Sequence, residues 1–243
     1  MQKADQKNHQ DMYKAISHSS PNHVVTEQYR KLRTNIELSN FGQEIKVIAL
    51  TSTLSEEGKT VTSINLATVY AQGQKKTLLI DMDLRKPKIH RGFNLLNKVG
   101  LSDIITNAVK KEDSVHKISD YLDVLTAGSK LPYPAEFLMS SQLNDLVNAF
   151  RADYDRIIID TPPMAAVTDA NIISSFVDGV ILVVGSRKTN IEVAKNVTKD
   201  LKSNGANIIG SVLTMVKKKD NAYQTYYSYK ENKKDKQNVD LNK

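Results

Sequence analysis

Apolar residues along this chain gather in short, near-continuous runs, and between the runs they recur at helical spacing. IKVIAL (45–50), KTLLIDMD (76–83), LDVLTAG (122–128), RIIID (156–160), GVILVVG (179–185) and ANIIGSVLT (206–214) predict strands. Strands that are apolar without alternation are buried on both sides, which is the habit of parallel sheets. The segment 24–40 puts Val25, Tyr29, Leu32, Ile36 and Leu38 at helical spacing, with Thr26 as the expected cap. Further helices are expected over 61–73, ended by Gly73, from 100, over 135–150, over 169–175 and over 190–203, stopped by Gly205. Strands alternating with helices predict an α/β fold with a mostly parallel sheet flanked by helices.

The same pattern divides the chain. Residues 1–23 are polar and are expected as a flexible arm, 24–216 as one domain, and 217–243 as a flexible tail rich in Tyr and Lys. The absence of cysteine among 243 residues excludes disulfides, thiolate metal sites and cysteine nucleophiles, and fits a reducing cytoplasm. No apolar run approaches the ~18 residues of a membrane helix, and MQKADQKNHQ is too polar for a secretory signal. A cytoplasmic chain is expected, with any membrane role borrowed from a partner. The formal charge is +7, and eight lysines against four acids put +4 of it on residues 217–243. Charge concentrated on a tail rather than a folded groove argues against nucleic acid as a partner.

Candidate chemistry begins at TSTLSEEGKTVTS (51–63). The full phosphate-loop pattern wants Gly five residues before the Gly-Lys pair, and Thr53 stands there. Gly58-Lys59-Thr60 nevertheless lies between a strand and a helix, where backbone N–H groups and the helix dipole favour an anion. A nucleotide is expected against Thr53, Leu54, Ser55, Glu56, Glu57, Gly58, Lys59, Thr60 and Val61. Lys59 supplies charge for the β- and γ-phosphates, and Thr60 is a ligand for Mg²⁺. Asp81 and Asp83 close one strand and Asp160 another, so all three reach the carboxyl edge of the sheet, where open α/β sheets bind ligands. Because alternate strand residues face opposite ways, the chain must leave the strand between Asp81 and Asp83 if both are to meet one phosphate.

Together with EQYRKLRTNI, LLIDMDLRKP, VGLSDII, LDVLTAG, PAEFL, IIIDTPP, TDA and a Tyr-rich C-terminus, these motifs resemble those of the bacterial tyrosine kinases of capsule and exopolysaccharide assembly. The resemblance is to the form in which the kinase is a separate cytoplasmic chain, and it runs from about Glu27 to the tail. It implies a P-loop NTPase fold, MgATP as phosphoryl donor and tyrosine as acceptor. Lys59 and Thr60 match the family's phosphate and magnesium positions. Asp81 is expected to be the base that takes the tyrosine proton, with Asp83 and Asp160 organising Mg²⁺.

The family usually shows Pro-Gly-Glu-Gly-Lys, whereas this chain has Ser55-Glu56-Glu57-Gly58-Lys59. Glu56 thus replaces a glycine and costs about 1 kcal/mol if a left-handed angle is required there. Thr214 stands where relatives commonly place an Asn near the base.

YQTYYSY supplies Tyr223, Tyr226, Tyr227 and Tyr229, the expected acceptors. The steps from Val216 to Tyr229 span at most about 45 Å extended and roughly 20 Å as a coil, so a site on the same or a neighbouring subunit is within reach. Glu27, Arg30 and Arg33 carry the spacing that in the family closes subunits into a ring. The family also implies a transmembrane adaptor that activates the kinase and recruits it to the inner face of the membrane, a cognate tyrosine phosphatase, and protein tyrosine substrates. Two other readings are a partition or division-type ATPase switch, against which Leu54 stands in place of an extra lysine, and a non-catalytic nucleotide-binding scaffold.

Overall fold

The computed structural model describes residues 16–39, 44–165 and 167–217. Its centre is a seven-stranded sheet of β1 (Val47–Ser52), β2 (Thr77–Asp81), β3 (Val115–Lys117), β4 (Leu122–Leu125), β5 (Arg156–Asp160), β6 (Gly179–Gly185) and β7 (Ile208–Thr214), in the order β3-β4-β2-β5-β1-β6-β7. Every pairing is parallel except β3 with β4. From β1 the chain moves to one side to form β2 and β4, then returns to lay β6 and β7 on the other. The loop after β1 therefore sits at the reversal of strand order, where doubly wound sheets open a crevice.

Alternation within the central strands feeds two cores. Ile48 and Leu50 of β1, with Leu79 and Ile158, meet Ile64, Leu66 and Tyr70 on one face. Val47 and Ala49, with Leu78, Ile80, Ile157 and Ile159, meet Leu143, Val147 and Phe150 on the other. This is why the strands read as unbroken apolar runs: both sides of each are buried.

The helices α1 (Ile16–Ser19) and α2 (Val24–Leu38) cover α3 (Lys59–Gln72), which is buried along nearly its whole length. Residues 16–23 are thus not part of a loose arm: Ser17 is buried and its N–H donates to Asn65 Oδ1 at 2.9 Å. The cap of α2 is His23, whose Nδ1 accepts from Val25 N, and not Thr26, which is inside the helix and donates to Ser20 O. Gly73 caps α3 and Gly205 takes φ 80° after the last helix, both as expected.

Three further differences are local. Two are elements the pattern does not announce, the one-turn helix α4 (Ile89–Gly92) and the edge strand β3, whereas α5 (Leu101–Ile105) lies where a helix from 100 is expected. The stretch 135–150 is two helices, α6 (Pro134–Leu138) and α7 (Ser141–Asp153), because the Ser140 side chain caps the second by accepting from Leu143 N. Next come α8 (Asp169–Ser174) after β5 and α9 (Ile191–Ser203) after β6. Asn190 caps α9 through Glu192 N. Among the described residues no helix is long and apolar enough to cross a membrane. The tail, with Tyr223, Tyr226, Tyr227 and Tyr229, lies outside the described residues.

Candidate active site

The turn after β1 delivers the chain into α3 through Gly58, which takes φ 85°, a left-handed angle that glycine adopts without steric cost. Glu56 also sits at φ 62°, so the glycine replaced at that position is one whose freedom the loop does use. Its side chain points outward and lies 3.8 Å from Lys188 Nζ. Leu54 and Gly58 are half-buried, Ser55 is exposed, and Val61 lies on the first turn of α3. Thr53 is fully buried with an unpartnered hydroxyl, while its carbonyl accepts from Ala165 N in the loop after β5.

At the start of α3, Lys59 and Thr60 converge on Asp160. Lys59 Nζ is 2.5 Å from Asp160 Oδ1, and Thr60 Oγ1 donates to Oδ2 at 2.7 Å. Ser63, one turn on from Lys59, donates to Oδ1 at 3.0 Å. Asp160 is fully buried, and these donors occupy both of its carboxyl oxygens. The role of Ser63 escaped sequence reading, although its i,i+4 spacing from Lys59 places it on the same helix face.

Asp81 ends β2 directly beside Asp160, the two being register partners. The chain does leave the sheet at once: Met82 turns into the core, and Asp83 N folds back to donate to Asp81 Oδ1 at 3.2 Å. Asp81 Oδ2 accepts from Lys88 N and Ile89 N, both at 3.0 Å, and so shapes the loop that carries Asp83. Asp83 Oδ1 accepts from Lys86 N at 3.0 Å. Burial, reinforced by the neighbouring Asp160, pushes the Asp81 carboxyl up to about 8. Burial also raises Asp83, against the pull of Lys59.

A clamp not anticipated from the sequence fixes the far side of this loop. Arg85 Nε and Nη2 reach both oxygens of Asp169 at 2.9 and 3.0 Å, and Asp169 is fully buried at the start of α8. Both motifs, LRKP and TDA, are visible in the sequence; their pairing across 84 positions is not.

Thr214 does not face open space. It donates to Glu57 O at 2.6 Å and packs against Gly58. Glu27 pairs with Arg30, which also reaches Gln72, and Arg33 Nη1 donates to Val69 O at 2.5 Å in the last turn of α3.

The donor set fits a hard cation that takes most of its shell from elsewhere. Among the described residues no three acidic or histidine side chains form a ready-made cation cage. Magnesium typically takes one or two protein oxygens and completes its shell with water and substrate phosphates.

An open parallel sheet with a Gly-Lys-Thr turn entering a buried helix, and acids on the flanking strand ends, defines a P-loop NTPase. A family model described as an AAA domain matches residues 45–208. The tyrosine-protein kinase YwqD of Bacillus subtilis is 39% identical over 89% of this chain and 92% of its own. Two solved structures superpose with TM-scores of 0.78. The chimerical protein CapA2B2 is 36% identical, covering 82% of this chain and 88% of that one. The kinase domain of Escherichia coli tyrosine kinase ETK is 30% identical, covering 84% and 82%. The chain belongs to the bacterial tyrosine-protein kinase family. The partition-type reading is not favoured.

Proposed function

We propose that this chain transfers the γ-phosphoryl group of MgATP to the tyrosines of its own C-terminal tail, in the service of capsular or extracellular polysaccharide synthesis and export. The observation that supports it best is the convergence of Lys59, Thr60 and Asp160 beneath the left-handed turn at Gly58, with Asp81 alongside.

The triphosphate is cradled by the loop 53–61, whose turn aims backbone N–H groups and the positive end of α3 at it. Lys59 exchanges part of its contact with Asp160 for the β- and γ-phosphate oxygens. Thr60, Asp83 and Asp160 are the residues that would hold Mg²⁺, and the ion would neutralise charge on the phosphate oxygens. The tyrosine oxygen attacks the γ-phosphorus in line, the bond to the ADP oxygen breaks, and the phenolic proton passes to Asp81, whose carboxyl, raised by burial in the nucleotide-free protein, would be brought down and held ionised by bound Mg²⁺ alongside Lys59. Tyrosine with a pKa near 10 needs such an acceptor at neutral pH. The backbone N–H groups of Asp83, Lys88 and Ile89 hold that carboxylate in place.

Glu27, Arg30 and Arg33 are assigned to contacts between subunits of a ring. In one subunit Arg33 already ties α2 to the end of α3, so such a contact would bear on the helix that opens at Lys59. A transmembrane adaptor recruits the kinase to the membrane, and a phosphatase resets the tail. Each phosphate adds about −1.5 to −2 charges, so two or three cancel the tail's excess positive charge and release it from an acidic surface.

The test separates binding from transfer. Asp81→Asn is expected to keep ATP binding and lose tyrosine transfer, whereas Asp83→Asn weakens Mg²⁺-dependent ATP binding. Loss of nucleotide binding in the Asp81 variant would reverse the assignment.

A further inference from the structure

The Glu57 side chain has no solvent exposure, although it lies in a loop between exposed Ser55 and Glu56 on one side and Gly58 on the other. Its Oε2 accepts from Leu54 N at 2.9 Å, which closes the loop upon itself. Its Oε1 accepts from Thr189 Oγ1, in the connection between β6 and α9. Its carbonyl accepts from Thr214 Oγ1, the last residue of β7. The same connection supports the neighbouring position, because Lys188 Nζ donates to Glu56 O at 3.0 Å. Gly185 makes room for this: a Cβ there would stand 3.2 Å from Lys188 Cβ and 3.4 Å from Glu57 Cγ.

These contacts offset a specific weakness. The loop has Thr53 and Glu56 where glycines would let the backbone turn freely, and Glu56 is held at an angle that disfavours a side chain. A loop of this composition does not take the phosphate-binding shape for local reasons. A buried residue whose side chain ties Leu54 N to the β6–α9 connection, and whose carbonyl is held by the end of β7, can impose that shape.

We propose that Glu57 is a positioning residue, a strut between the phosphate loop and the β6–α9 connection, that pre-organises the loop for a nucleoside triphosphate without touching it. The proposal rests on the P-loop reading of residues 53–61. Both oxygens of Glu57 act as acceptors, but its role is geometric. A glutamine in the same rotamer accepts from Leu54 N with its oxygen and donates to the Thr189 hydroxyl with its amide. Alanine does neither and leaves Leu54 N and the Thr189 hydroxyl unpartnered.

The experiment is titration of the full chain with Mg²⁺ and a fluorescent methylanthraniloyl-ATP, alongside kcat and KM for tail phosphorylation and the melting temperature without nucleotide. Glu57→Ala, which removes both side-chain contacts, is expected to weaken binding by about tenfold and Thr189→Val, which removes one of them, by about threefold, with the double variant no weaker than Glu57→Ala. The loss should fall on KM for ATP, with kcat at saturation changed less than about threefold, since bound nucleotide itself orders the loop. Glu57→Gln should recover most of the affinity. Unchanged affinity in Thr189→Val, additive losses, or a Gln variant as weak as Ala would overturn the strut. If Glu57→Ala does not fold, Thr189→Val and Glu57→Gln decide the matter. Failure of the wild-type chain to bind the probe would overturn the P-loop reading, and the strut with it; wild-type binding with intact variants overturns the strut alone.

Discussion

Asp81 and Asp160 stand side by side as the last residues of neighbouring parallel strands, both fully buried. Only Asp160 has a cation and two hydroxyls to itself; Asp81 has backbone N–H groups alone, and its carboxyl is pushed up to about 8. Two acids share one buried strand edge, and the carboxyl pushed up is that of Asp81, the less compensated one.

That arrangement sets a pH dependence for the protein free of nucleotide and metal. The folded state keeps the Asp81 proton up to about pH 8, while the unfolded chain releases it near the ordinary value of 3.8. The folded state therefore binds more protons through this window, and the stabilisation present at its acid end is lost as pH rises through about 8. The melting temperature is expected to fall by about 5–10 °C between pH 6 and pH 9. In Asp81→Asn that slope should largely disappear; scanning calorimetry of both proteins in chelator checks it.

The Arg85–Asp169 clamp predicts an asymmetric pair of variants. Arg85 is 40% exposed and can be hydrated when its partner is gone, whereas Asp169 is sealed from solvent. Arg85→Ala strands a buried carboxylate and should cost about 2–4 kcal/mol, and Asp169→Ala about half of that. Urea unfolding measures both. Equal losses would mean that Asp169 is satisfied by other donors.

Glu56 offers a gain of function. Replacing it with Gly relieves the left-handed angle and removes a carboxylate from the rim of the phosphate loop. ATP affinity is expected to rise by about two- to fivefold, and less at high salt, because the charge is exposed and screened. Calorimetric titration at two ionic strengths checks the effect and its cause.

Much of this is legible in the amino-acid sequence, for physical reasons. Strands such as RIIID are buried on both faces, so composition alone declares them; Asp81 and Asp160 follow from which strand ends carry polar groups, and Lys59 and Thr60 from the Gly-Lys-Thr turn that opens the helix after β1. What is not legible lies at edges and across distance. β3 is three residues of a half-exposed edge with no apolar run, and α4 is a single turn. The break at Ser140 is hidden because Met139 and Leu143 keep helical spacing across it, although a serine cap is a readable signal. Thr26 has the residue type of a cap, but His23 holds the position. The contacts of Asp169 with Arg85 and of Thr189 with Glu57 join residues 84 and 132 positions apart, which no local pattern encodes.

The central claim is that a loop poor in glycine still serves phosphoryl transfer to the chain's own tyrosines. The most direct measurement incubates the full chain with MgATP, with and without membranes bearing the adaptor, and maps phosphotyrosine by mass spectrometry in the wild type and in Lys59→Met. The account predicts phosphate on Tyr223, Tyr226, Tyr227 or Tyr229 in the wild type and none in the variant. Tail peptides that stay unmodified under both conditions, or equal modification in Lys59→Met, would contradict it.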